Sequence, residues 1–167
     1  TANAQWGNAP SVLVGDFLYS RAFQMLVTLG DMNIMALLSS TTNQISEGEV
    51  FQLTKAGDPS TTREDYLQII RDKTAILFAA SLKGAAMIAG ASLEQQDALH
   101  AYGLDLGLAF QLADDLLDYQ GDAQTMGKNI GDDLAEGKPT LPLIYSIENN
   151  HNGNADIVIE AIRNKSA

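Results

Sequence analysis

The chain has 167 residues, 46% hydrophobic and 19% charged, enough for a single globular domain with a sizeable core. Its formal net charge of −11 argues against a nucleic-acid partner, which would want a basic face. A phosphorylated ligand stays open, because divalent metals can sit between carboxylates and phosphates. The absence of cysteine excludes a disulfide framework and a thiolate metal site, and suits a reducing cytoplasm.

Charges or glycines cut the apolar stretches short of the ~20 residues a transmembrane helix needs. The first residues, Thr1 to Asn8, lack the basic and apolar regions of a signal peptide and carry no start methionine, as in a fragment or processed product. The apolar period is helical almost everywhere, and no segment alternates for long enough to read as a strand. A first helix is expected from about Ser11 to Leu29, stopped by Gly30. Asp31 can cap a second that runs to Lys55, before Gly57-Asp58-Pro59. Thr61-x-x-Glu64 reads as a capping box for a helix through about Leu82, and Gly84 to Gly90 suits helix, turn or both. Ser92-x-x-Gln95 is a second box, opening the longest helix, Leu93 to Tyr119, roughly 40 Å long at 1.5 Å per residue. Gly103 and Gly107 lie on one side of it, where a neighbouring helix can approach closely. Gly121 to Lys138 is a loop, Thr140 to Asn149 a short apolar helix, Asn150 to Asn154 a polar turn, and Ala155 to Asn164 a final amphipathic helix. The expected fold is all-α: a bundle of long, mostly antiparallel helices, with its site on facing helices.

Near the end of the longest helix stands Phe110-Gln111-Leu112-Ala113-Asp114-Asp115-Leu116-Leu117-Asp118. Asp114 and Asp118 are one turn apart on one side, so both can reach one divalent cation or a pair sharing a ligand. Gln111, a turn earlier, adds a neutral amide. Oxygen ligands of this kind suit Mg²⁺, which takes one or two carboxylates plus substrate phosphates. A solvated acidic helix end is the plain alternative. Against it stand Leu112, Leu116 and Leu117, which make the helix mostly buried, and the helix dipole, which opposes aspartates there. Gly127-Lys128 and Gly137-Lys138 place two ammonium groups just beyond, on a glycine-rich loop able to hold a phosphate and release it. Lys73-Thr74 lies mid-helix among Ile69, Ile70, Ile76, Leu77 and Phe78, where a lysine can also simply snorkel.

From Trp6 to about Tyr145 the chain resembles the trans-prenyltransferases, in particular the long-chain polyprenyl diphosphate synthases of bacterial quinone biosynthesis. Ser11 to Tyr19 looks like the helix after that family's first aspartate-rich motif, and Glu47-Gly48-Glu49-Val50-Phe51-Gln52-Leu53 like its substrate-facing helix. Lys73-Thr74 matches its Lys-Thr pair, and Phe110-Gln111 with Asp114-Asp115-x-x-Asp118 its second aspartate-rich motif. Gly127-Lys128 and Asp133-x-x-x-Gly137-Lys138-x-Thr140-Leu141-Pro142 match the loop and helix start beyond. The first aspartate-rich motif, which the family carries upstream of Trp6-Gly7-Asn8, is not in this stretch. The expectation is a single helical domain, residues 1–167, forming the C-terminal portion of a truncated synthase and inactive alone.

The resemblance implies condensation of isopentenyl diphosphate onto an allylic prenyl diphosphate, giving a long-chain polyprenyl diphosphate. It implies Mg²⁺ at Asp114, Asp115 and Asp118 with help from Asp133, and diphosphate held by Lys73, Lys128 and Lys138. Thr74, Gln111 and the Phe110 ring would face the allylic cation. Lys73, Thr74, Gln111 and Asp114 would carry the catalytic work. A homodimer packed on small-residue faces around Gly15, Ala22 or Ala36 and a cytoplasmic setting are also implied. Leu26, Met32, Met35 and Leu38 are tunnel-wall candidates or plain core. Two other readings remain: a non-catalytic dimerisation or half-site module, and a di-iron carboxylate bundle using Asp97-x-x-His100 and Glu148-x-x-His151.

Overall fold

Glycines and side-chain caps set the helix ends. The computed structural model describes residues 2–120, 131–150, 153 and 155–165, and among these every regular element is a helix. α1 (Ala2–Trp6) and α2 (Asn8–Leu29) are divided by Gly7, and α2 stops where Gly30 turns left-handed at φ 74°. α3 (Met32–Lys55) is capped by Asp31, whose Oδ1 accepts the N–H groups of Asn33 at 2.8 Å and Ile34 at 3.3 Å. α4 (Arg63–Ile70), a π-helical turn (Arg71–Ala75) and α5 (Ile76–Ile88) follow without a break. Then come α6 (Leu93–Gln120), α7 (Asp132–Ala135), α8 (Leu141–Glu148) and α9 (Ala155–Asn164).

Three local expectations need correction. The first capping box uses Thr62 and Asp65 rather than Thr61 and Glu64. Thr61 is buried and donates its hydroxyl to the Asp58 carbonyl at 2.7 Å, leaving the next threonine to accept from Asp65 N at 3.1 Å. The segment from Gly121 to Lys138, expected as loop, holds the short helix α7 near its end. Residues 84–90, open between helix and turn, are both, the helix from Ile76 running to Ile88 and the turn falling at Ala89-Gly90. The helix opened by the first box is also not uniform, since the wider π turn interrupts it at Lys73-Thr74. The Ser92–Gln95 box forms as expected, with Ser92 N donating to Gln95 Oε1 at 3.0 Å and Gln95 N to Ser92 Oγ at 3.3 Å.

The chain divides into two compact units, Thr1–Ser39 and Ser40–Ala167. In the first, α2 buries no side chain, and Val12, Leu13, Phe17, Leu18, Met25 and Val27 are all more than half exposed. Gly15, Asp16 and Arg21 interrupt its apolar run. By length and composition only, it is the one described helix long and apolar enough to cross a membrane, with a mean hydropathy of 1.2.

In the second unit α5 and α6 pack antiparallel along their length. Gly103 and Gly107 make this possible. A Cβ at Gly103 would lie 2.8 Å from Ala79 Cα, and one at Gly107 would lie 2.5 Å from Ala75 Cα. From the other side, Gly48 of α3 lets Asp72 and Lys73 approach, its absent Cβ being 2.9 Å from Asp72 Cβ. Glycines on two separate helices thus enclose the π turn. Tyr66, Ile70 and Ile144 form a small core, with Leu67, Leu108, Leu112 and Leu141 packed around it, which joins α4 and α6 to α8.

Candidate active site

The π turn positions the site's central residues. Its i→i+5 bonding widens the helix for one turn and changes the angle at which Lys73 and Thr74 leave the axis. Such turns cost stability and recur at functional sites. Gln44 Nε2 donates to Asp72 Oδ1 at 2.7 Å, tying the turn to α3. Lys73 Nζ donates to Gln52 Oε1 at 2.8 Å and pairs with Glu49 Oε1 at 3.3 Å, both also on α3.

These groups open on a cavity of about 50 Å³ lined by Gln52, Lys55, Tyr66, Ile69, Ile70, Lys73, Thr74, Gln111, Asp115, Asp133, Lys138, Pro139 and Thr140. On the α6 wall Tyr66 donates its hydroxyl to Asp115 Oδ2 at 2.7 Å, and Gln111 Nε2 donates to Asp115 Oδ1 at 2.6 Å. Thr74 Oγ1 donates to Gln111 Oε1 at 3.0 Å. On the opposite lip Lys138 Nζ donates to Asp133 Oδ1 at 3.0 Å and pairs with Glu136 Oε2 at 2.6 Å. Tyr119 and Thr140 share a 2.9 Å hydroxyl bond.

Burial dominates the electrostatics here. It raises Asp115 above the usual carboxylate range; the bonds from Tyr66 and Gln111 pull the other way, and the charges of Asp133 and Asp114 add to the rise. Burial, then the bond to Asp115, pushes the Tyr66 phenol far up, so it stays a proton donor. Burial also opposes the charge on Lys138, yet its bonds to Glu136 and Asp133 outweigh that and hold it above the ordinary lysine value. The site thus brings three lysines, Lys55, Lys73 and Lys138, around one small cavity with Asp133 and the buried, hydrogen-bonded carboxylate of Asp115.

Of the residues expected from sequence, Lys73, Thr74, Gln111, Asp115 and Lys138 line this cavity together, with Asp133 beside them. Asp114 is half-buried and Asp118 only 2% exposed, and neither is among the lining residues. Asp118 Oδ2 accepts from Asp133 N at 3.2 Å, which binds the α7 turn to the end of α6. The Phe110 ring is mostly exposed and packs on Phe78, with centroids 5.4 Å apart. Lys128 lies outside the described residues. Lys55 and Tyr66 were missed. Tyr66 stands seven residues, two turns, before Lys73, a spacing that would have put both on one face. Lys55 carries no comparable signal. Asp97 pairs with Lys83 at 2.8 Å and Glu148 with Arg63 at 2.7 Å, so both carboxylates of the di-iron alternative are engaged by cations; His151 lies outside the described residues.

The family model for polyprenyl synthetase matches residues 1–167. The chain belongs to the polyprenyl synthetase family. It is 49% identical over 162 residues to an octaprenyl diphosphate synthase of Haemophilus influenzae, covering 97% of this chain and 49% of that protein. Over the same length it is 49% identical to an all-trans-nonaprenyl-diphosphate synthase of Rhodobacter capsulatus described as specific for geranyl diphosphate, covering 97% of this chain and 50% of that one. The chain therefore spans about half the length of these curated polyprenyl synthetase relatives. A solved structure, a Caulobacter crescentus polyprenyl synthase complexed with calcium and isoprenyl diphosphate, superposes with a TM-score of 0.93 at 46% identity. It covers 99% of this chain and 51% of that protein. The all-α fold is that of the polyprenyl synthetase family.

Proposed function

We propose that the protein carrying this chain is a trans-prenyltransferase that condenses isopentenyl diphosphate onto an allylic prenyl diphosphate to build a long-chain polyprenyl diphosphate. The observation that carries this reading is the convergence of Lys73, Thr74, Gln111, Asp115 and Lys138 on one cavity around a π turn. Membership of the family and the 49% identity to two polyprenyl diphosphate synthases support it.

The donor set suits Mg²⁺. Among the described residues no three His, Asp or Glu side chains group closely enough to hold a metal by themselves, and magnesium does not need that. It binds through one or two carboxylates with substrate phosphates completing the shell. Asp114 and Asp118, with Asp133 in support, would hold it, since both oxygens of Asp115 are taken by Tyr66 and Gln111, and when bound it would offset the charge of the departing diphosphate. The chain's own cations do the rest of the holding: Lys73 and Lys138, with Lys128, attract the diphosphate electrostatically. To do so Lys73 leaves Glu49 and Lys138 leaves Glu136, exchanging a carboxylate for a phosphate. Thr74 and Gln111 turn polar oxygens to the allylic carbon, and Phe110 offers a ring face. Leu26, Met32, Met35 and Leu38 would line the path of the growing apolar tail. A homodimer packed on the bare apolar face of α2 and a cytoplasmic setting complete the proposal.

The test is incorporation of labelled isopentenyl diphosphate into butanol-extractable product by the protein containing this chain, with an allylic diphosphate and Mg²⁺. Products longer than the primer by whole isoprene units are expected. Release of diphosphate without elongation would overturn the reading.

A further inference from the structure

Resting on that reading and deepening it, we propose that Asp115 is a positioning residue that fixes the hydrogen-bond polarity of the cavity. It turns the Gln111 amide so that Thr74 must donate its proton and present oxygen lone pairs to the ligand. An ionised carboxylate can only accept. Both oxygens of Asp115, which is 5% exposed, are engaged, one by the Tyr66 hydroxyl at 2.7 Å and one by Gln111 Nε2 at 2.6 Å. The NH₂ group of Gln111 is therefore committed to Asp115, with a longer second contact to Asp114 Oδ2 at 3.5 Å, and its Oε1 is left facing Thr74. With an acceptor 3.0 Å away, the Thr74 hydroxyl spends its one proton on Gln111. Its remaining lone pairs belong to the cavity that Thr74 and Gln111 both line. A fixed negative dipole end suits an electron-poor carbon and disfavours a hydrogen-bond acceptor. Because the dipole is set before the ligand arrives, no reorganisation is needed as charge develops.

The role differs from metal binding and from packing, and one substitution pair separates the three. Asp115→Asn keeps the shape but gives position 115 a donor face, so Gln111 can flip and Thr74 can turn its proton into the cavity. Elongation should fall about ten- to a hundredfold in kcat, with KM for the allylic diphosphate nearly unchanged. Adding Gln111→Glu moves the acceptor-only group one link along the chain. The carboxylate then at position 111 accepts from both the new amide at position 115 and the Thr74 hydroxyl. The original polarity returns, and most of the lost kcat should return with it. The pair keeps Tyr66, Thr74 and positions 111 and 115 bonded and gives up only the long contact to Asp114, so it remains readable if Asp115→Asn alone folds poorly. A Mg²⁺ requirement that shifts with Asp115→Asn, or a kcat loss that Gln111→Glu does not rescue, would overturn the proposal.

A second readout does not depend on turnover. In nuclear magnetic resonance of this chain, the Gln111 side-chain amide protons should exchange slowly with solvent in the native protein and quickly in Asp115→Asn. Equal exchange in the two would refute the polarity mechanism. A native protein that exchanges as expected but does not elongate would instead refute the enzymatic reading alone.

Discussion

Replacing Asp114 with asparagine keeps size and helix position while removing one charge. If that charge acts when diphosphate departs, kcat should drop about a hundredfold, equivalent to about 2.7 kcal/mol, with a smaller change in KM. Steady-state elongation kinetics at saturating Mg²⁺ check this, and near-normal turnover would return Asp114 to a solvated helix end. Lys83→Ala is the control. It removes a pair with the mostly exposed Asp97, worth at most about 1 kcal/mol, and touches nothing in the cavity. At this scale the sequence was informative wherever chemistry follows local spacing. Asp114, Asp115, Asp118 and Gln111 are one helix face and its flank, and Lys73-Thr74 is a contiguous pair. Lys55 and Tyr66 were harder to see because what brings them to the site is tertiary. Lys55 reaches it from the end of α3, pairing with Asp65 at 2.9 Å, and Tyr66 through a partner on another helix.

Helix ends were legible where a cap is unambiguous, as at Asp31 and Ser92. Two adjacent threonines could each have capped α4. The choice fell to Thr62 because Thr61 closes the preceding turn onto Asp58, a contact the capping pattern does not encode. Asp65 completes that cap and makes it pH-dependent. The Lys55 ammonium, then the Thr62 N–H, hold its carboxyl below the usual 3.8. Its contribution is therefore present above that value and is lost as pH falls through the lowered one. Asp65→Asn should lower the urea midpoint near neutral pH, and the gap should close in acid; a constant gap down to the acid limit would contradict the coupling. The π turn was invisible in sequence because it is imposed from outside, by Gly48 on one side and Gly107 on the other. Gly107→Ala sets a methyl group against backbone at Ala75 and should cost about 1–3 kcal/mol. In a single copy nothing lies within 4 Å of a Cβ added at Gly15, so Gly15→Ala, measured at concentrations too low for a dimer, should instead stabilise by roughly 0.5–1 kcal/mol. Urea melts of both variants test this, and equal effects would mean that close approach does not shape the turn.

For the whole molecule, helical class and element order were readable because the apolar period is local and continuous. The partition into two units was not, since the composition of α2 resembles that of any core helix, and only its exposure marks it as a face awaiting cover. If a second copy supplies that cover, sedimentation velocity should show a dimer whose dissociation is promoted by Leu13→Glu or Phe17→Glu. A monomer at all concentrations would remove the dimer. If the Lys73–Lys138 cavity takes diphosphate by way of carboxylate-held magnesium, calorimetric titration of inorganic diphosphate into this chain will show it. Binding is expected to be weak, to require Mg²⁺, and to disappear in Asp114→Asn. Tight binding without Mg²⁺, undisturbed by Asp114→Asn, would contradict it.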